Sequence, residues 1–292
     1  MSRILTPTEA AAEIADGACL GIGGLQGNFP MATLRELARR GARDLDVLGA
    51  PVGMAAEILI AAGCVRRLGA PYMGVEGLIA VAPAYRAAVE SGRLELWECD
   101  EAILLTALRA AAQGLPFLPW RGGVGTDLPT VNPELIEYVD EPTGTRLLRV
   151  PARRPDLALL HALEADSFGN VRYHAHSAFA DPAFARAAER VVVEVERIVD
   201  HDLFLAAPER TAIHRADVIV LAPEGSHPFR ASGVLEQDDE WLREWNEGVR
   251  ATLRAGQPAS AAAPVRRELE PVGHDAYREA IGSRLKRLKI TE

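Results

Sequence analysis

Two carboxylates and two glycine-rich turns hold most of the chemistry open to this chain. Glu76 lies in the run APYMGVEGL, an apolar setting in which an ionised carboxylate is costly unless it finds partners. Glu101 follows Asp100 and opens a very apolar segment, where a negative charge is favoured by a helix N-terminus. It serves there as a capping acid or as a chemical group, and its position leaves both open. The first turn is GIGGLQGNFP, Gly21 to Pro30, and the second is AAAQGLPFLPWRGGVGTDL, Ala110 to Leu128. Glycine has no Cβ, tolerates positive φ, and lets backbone amides approach a phosphate, thioester or carboxylate. Gly23 and Gly24 follow the end of a strand, where ligands bind in α/β sheets. A purely structural turn is the competing reading.

Other chemistries lack their signatures. The third glycine of a dinucleotide fingerprint would fall at Gln26, and Asp44 and Asp46 come too early to bind a ribose. No GxSxG elbow is present, and no cysteine has an obvious histidine partner. His174 and His176 alternate on extended chain without a third ligand, so polar surface is preferred to a metal site. Asp166, Gly169 and Asn170 in ADSFGN form a turn signal.

These residues need elements to place them, and the punctuation is clear. Thr6 caps a first helix, Pro7 suits its first position, Glu9 completes a capping box and Gly17 ends it. Ala18 to Ile22 reads as a buried parallel strand. A helix follows from Pro30 to Arg40, stopped by Gly41. Leu45 to Leu48 is a strand, Met54 to Ala62 a helix, Pro83 to Glu90 a helix, Leu94 to Trp97 a strand, and Asp100 to Gln113 a helix. Pro129 to Thr145 is a proline- and acid-rich excursion. Leu157 to Leu160, Val191 to Val195 and Val218 to Leu221 are further strands, with a helix near Pro182 to Arg190. Ala255 to Pro264 marks a linker, and His274 to Lys289 is again helical. The expected fold is a three-layer α/β/α sandwich around a mainly parallel sheet, with an α/β domain over 1–254 and a linker and helical tail over 255–292.

Composition sets the limits. The chain has 292 residues, of which 48% are hydrophobic and 25% charged, an ordinary globular balance. A formal charge of −9 argues against nucleic acid. The arginine pairs Arg39–Arg40, Arg66–Arg67 and Arg153–Arg154 read as solvated ends of elements. Cys19, Cys64 and Cys99 lie far apart, as befits reduced thiols in a cytoplasmic protein. Charged residues near the N-terminus argue against a signal peptide, and no apolar window is long enough for a membrane span. Taken alone, the residues reach an acyl- or phosphate-binding α/β protein.

Ordered segments then carry a resemblance. GIGGLQGNFP with RELARR at Arg35 to Arg40, YMGVEGLIAVAPAYRAAVESG from Tyr72, and GLPFLPWRGGVGTDL from Gly114 resemble the A subunit of family I CoA-transferases of the glutaconate type. ALLHALEADSFGNVR, VVVEVERIVD, APEGSHP and HDAYREAIGSRLKRLK add matches in order. The resemblance implies a partner B subunit of similar architecture, acyl-CoA and a carboxylic acid as substrates, and no cofactor or metal beyond the CoA thioester itself. It implies a glutamate in the B subunit that becomes a glutamyl-CoA thioester, so no residue here is the covalent nucleophile. This chain would complete the acyl cleft through Gly23, Gly24, Gln26 and Glu76.

Departures from the family pattern bear on the substrate. Gln26, Gly27 and Asn28 stand where glutaconate-type relatives carry a basic residue. Glu76 replaces a small hydroxyl residue and would repel a second substrate carboxylate, which argues against glutaconate. Ring-opening hydrolases of steroid-derived CoA thioesters have an A-subunit glutamate that matches Glu101, which would act there as a general base. Transferase, hydrolase and a chain that only binds or scaffolds are therefore the competing classes.

Overall fold

The computed structural model describes every residue except 51–52, 176–177 and 291–292. Among the described residues, short apolar runs bounded by turns form β1 (Arg3–Leu5), β2 (Cys19–Ile22), β3 (Leu45–Gly49), β4 (Val65–Gly69) and β5 (Glu95–Leu96). Then come β6 (Phe117–Trp120), β7 (Ile136–Asp140) and β8 (Thr145–Pro151), followed by β9 (Leu157–Ala165), β10 (Val171–Arg172), β11 (Arg190–Ile198) and β12 (Val218–Leu221). Nine of them make one sheet in the order β1-β12-β11-β9-β2-β3-β4-β5, all parallel, with β10 antiparallel to β9.

Both faces of this sheet are covered, which explains why its strands are apolar throughout rather than alternating. On β9, Leu157 and Leu159 join one core with Leu34, Leu59 and Val249, while Ala158 and Leu160 join the other with Leu104 and Phe184. The protein is therefore a three-layer α/β/α sandwich with a mainly parallel sheet.

The helix Pro7–Ala12 has the expected box: Thr6 Oγ1 accepts from the Glu9 amide, and Glu9 accepts from the Thr6 amide at 2.8 Å. Gly41 at φ +72° closes the helix Met31–Arg40. Elsewhere the boundaries differ. The helix expected over Met54 to Ala62 spans only Glu57–Ala61, with turns before it, and the strand near Trp97 shrinks to Glu95–Leu96. His174 lies beyond the end of β10 rather than on a strand, and His176 falls outside the described residues.

The excursion in the middle of the chain is larger than its composition suggests. β6, β8 and β7 form a separate antiparallel sheet, in which Phe117 opposes Pro151 and Ile136 opposes Arg149. Part of the second glycine-rich segment is therefore a strand. Arg67 and Arg153, expected as solvated, both donate to Glu134 at 2.6 Å and tie this sheet to the main one.

The segment after 254 is packed, not slack. Ala259, Ala262 and Val265 belong to the main core, and Gly248 leaves just enough room for the Pro264 ring. Small residues here allow close approach. No helix among the described residues is long and apolar enough to cross a membrane.

One buried acid gives a testable pH effect. Glu57 is fully buried and accepts from the Ala84 and Tyr85 amides, at 2.6 and 2.9 Å, at the start of the helix Pro83–Glu90. Burial pushes its carboxyl up to about 7 from 4.5. A folded value above the unfolded one means that its stabilising contribution is full below pH 4.5 and is lost as pH rises through about 7. The whole shift is worth roughly 3 kcal/mol. Glu57→Gln carries no such proton. Whatever fixed cost the amide brings, variant-minus-wild-type stability should move by about 3 kcal/mol in favour of the variant between about pH 4.5 and pH 8. Urea denaturation at each pH reads this, and a constant difference would contradict it.

Candidate functional site

The turn after β2 is shaped from inside. The Gly23 amide donates to the Leu159 carbonyl at 3.0 Å, extending the sheet by one residue. Gly24 then adopts φ +103°, and its amide donates to Asp181 Oδ2 at 3.1 Å. Asp181 is wholly buried and also accepts from the Tyr173 hydroxyl at 3.0 Å. Burial pushes its carboxyl up to about 6 against those hydrogen bonds. The Leu25 amide donates to the Gly27 carbonyl, the Asn28 amide to the Arg230 carbonyl at 2.7 Å, and the Phe29 amide to Ser226 Oγ at 2.9 Å.

These contacts correct the expectation that the glycines make room for a ligand. A Cβ on Gly23 would lie 2.5 Å from Asp181 Oδ1 and from Leu160, and one on Gly24 would lie 2.6 Å from the Gly27 carbonyl oxygen and the Phe29 ring. The neighbours that demand glycine are the protein's own atoms, and the amides of Gly23 and Gly24 are already used. Only the tip, Leu25 and Gln26, is exposed.

Gln26 reaches a cleft of about 100 Å³ at the carboxyl edge of the sheet, which it shares with Glu76. Two residues from distant loops thus line one cleft. The floor is apolar and buried, made by Phe29, Met54 and Phe229, with the two phenyl rings edge to face at 4.9 Å. Tyr72, Arg230 and Gln237 complete the walls. Arg230 is held from behind: its carbonyl accepts from Asn28 and from Ser226 Oγ, while Asn28 and Ser232 exchange two further hydrogen bonds. Phe229, Arg230 and Gln237 were not expected from the sequence. They belong to a loop after β12, and their place in the cleft depends on its contact with residues 27–29.

Glu76 is exposed at the mouth, so the desolvation expected from its apolar neighbours does not arise. Met73 and Ile79 of that run turn inward instead. The Glu76 carboxylate, after burial, helps to raise the Tyr72 hydroxyl. Glu101 is half-buried and does not line the cleft. Nor is it the cap of its helix. Asp100 is, accepting from the Ile103 amide at 2.6 Å, and Glu101 occupies the first helical position, where its charge still faces the helix dipole.

The cysteines are poor nucleophiles, since burial pushes Cys19 and Cys99 up to about 12 and Cys64 to about 11. All three are free thiols. Among the described residues no three His, Cys, Asp or Glu side chains gather as metal ligands would. What the cleft can do is hold a small organic chain on its floor and a charged group at its mouth.

Known proteins share this arrangement of strands and loops. The coenzyme A transferase family matches residues 4–219. The A subunit of 3-oxoadipate CoA-transferase from Pseudomonas knackmussii is 35% identical over 254 residues, covering 84% of this chain and 88% of that one. A cholesterol ring-cleaving hydrolase subunit of Mycobacterium tuberculosis is 32% identical over 255 residues, 82% of this chain and 86% of that one. The crystal structure of glutaconate CoA-transferase from Acidaminococcus fermentans superposes with a TM-score of 0.89 at 26% identity, covering 99% of this chain and 96% of that one. The match over most of the chain in sequence, and over nearly all of it in fold, establishes that this chain belongs to the coenzyme A transferase family, among the A subunits of the glutaconate CoA-transferase type.

Proposed function

We propose that this chain is the A subunit of a cytoplasmic, two-chain acyl-CoA:carboxylate CoA-transferase, and that it completes the acyl cleft beside a B subunit bearing the nucleophilic glutamate. The observation that carries the reading is the cleft itself. Gln26 and Glu76, on separate loops, converge on one small apolar-floored cavity at the carboxyl edge of the sheet, the position at which α/β proteins bind ligands. The carboxylate in its lining, Glu76, is exposed to solvent. In the reaction so divided, the partner's carboxylate attacks the donor thioester and expels CoA thiolate, leaving a mixed anhydride. The thiolate then attacks the glutamyl carbonyl, releases the donor acid and forms a glutamyl-CoA thioester. The incoming acid reverses both steps. CoA enters as part of the substrate, and no other cofactor is needed.

A hydrolase is the second reading, favoured by the relative named as a ring-cleaving hydrolase. It is favoured also by the Glu101 carboxylate, which makes no hydrogen bond or ion pair among the described residues. One experiment separates them. The chain is purified alone and with its B subunit, and turnover of acyl-CoA is followed for wild type and Glu101→Gln. The expected result is an inactive lone chain, an active heteromer with a glutamyl-CoA adduct trapped on the partner, and near-normal turnover in Glu101→Gln. Loss of roughly 10²–10⁴-fold in that variant, with no adduct, would assign general-base hydrolysis instead.

A further inference from the structure

The charged groups at the mouth of the cleft and the character of its floor together define an acid. Arg230 and Glu76 both line the cleft and both are exposed, yet no ion pair joins them. Among the described residues no carboxylate lies within 4.0 Å of the Arg230 guanidinium. Its backbone, by contrast, is fixed by hydrogen bonds to Asn28 and Ser226. An arginine with a rigid root and a free fork suits a carboxylate, which it can bind with two parallel hydrogen bonds.

The floor offers the opposite environment. Phe29, Met54 and Phe229 present no donor and no cation, and each is at least 97% buried. A second carboxylate carried onto that floor would lose its water and find no cation there, and Tyr72 and Gln237 on the walls are neutral. The volume of about 100 Å³ on this chain's side of the cleft suits a short chain. Glu76 at the same mouth repels any further anion.

Building on the transferase reading, we propose that the cleft selects short-chain monocarboxylic acids with an apolar tail, that Arg230 grips the carboxylate at the mouth, and that Glu76 and the phenyl-lined floor reject dicarboxylates. Gln26 stands beside this grip as a neutral donor.

The test uses the assembled heteromer and two simple probes, butyrate and glutarate, titrated by saturation-transfer NMR. Butyrate is expected to bind at least about tenfold more tightly than glutarate, the order of discrimination that a hydrophobic pocket supplies. Arg230→Gln should weaken butyrate by about tenfold, as loss of a charge-assisted pair does, with the mass of the heteromer unchanged. Glu76→Gln should narrow the gap by tightening glutarate alone. Glutarate binding as well as butyrate, or butyrate binding unaltered in Arg230→Gln, would overturn the proposal. These titrations need no turnover. CoA transfer from butyryl-CoA to acetate, measured separately, reports on the transferase reading, so that failure of one is not mistaken for failure of the other.

Discussion

Gly24→Val is expected to lower the thermal midpoint by on the order of 10 °C, before any effect on ligand binding is considered. The residue sits at φ +103°, a region that a β-branched side chain does not tolerate. Its new Cβ would lie 2.6 Å from a backbone carbonyl of the same turn, which cannot move without dragging Asn28 and Phe29. Strain of this kind costs about 1–3 kcal/mol. Displacing the amide also removes a hydrogen bond from Asp181, leaving a buried acid under-satisfied at a further cost of about 1–3 kcal/mol. Because Phe29 forms part of the cleft floor, weaker acyl binding should follow the loss of stability. Differential scanning calorimetry on the assembled variant reads the first effect and the Michaelis constant the second. A normal midpoint with a raised Michaelis constant would mean that the ligand, not the protein, occupies the space beside Gly24.

That contrast shows what a glycine-rich turn does and does not say in sequence. The requirement for glycine is legible, because strand, turn and helix follow one another over Ala18 to Arg40. The identity of the neighbour is not, since Asp181 and Leu160 come from elements more than a hundred residues away. The same division holds for the fold. Runs such as Val218–Leu221 and Pro83–Glu90 are found at their expected bounds because burial on both faces, or a proline start, is written locally. The antiparallel sheet is hidden because β7 is half-exposed along its length and β6 pairs with a strand some thirty residues later. The helix Asp239–Arg254 does have a local signal in Trp241, Leu242, Trp245 and Val249 on one face. The elements expected from the sequence pass from the strand ending at Leu221 to the linker at Ala255 without it. In the cleft, Gln26 and Glu76 were named from the family pattern, whereas the place of Phe229 and Arg230 arises from loop docking, and no spacing within their own segment announces it.

Arg35→Met is expected to be the most damaging single change to the wall of the cleft, at about 3–5 kcal/mol. Arg35 is buried on the helix after the glycine turn. It faces Glu268 at 3.6 Å, stacks on the Tyr277 ring at 3.6 Å, and donates to the His227 carbonyl at 2.7 Å. One guanidinium thus fastens the helix Met31–Arg40, the loop leading to Phe229 and Arg230, and two helices of the C-terminal segment. Removing it leaves the Glu268 carboxylate 2% exposed with its cation gone. The Trp241 indole and the Tyr277 hydroxyl still reach that carboxylate, but neither supplies a charge. The cost is therefore mainly the stranded anion, and a second substitution should separate it from lost packing. Adding Glu268→Met to Arg35→Met is expected to recover more than half of the loss, because two apolar side chains of similar length replace the pair. Urea denaturation of the two single variants and the double variant gives the coupling directly. If the double variant is as unstable as the sum of the singles, the ion pair is not what holds this wall, and the stacking on Tyr277 together with the carbonyl contacts must account for it.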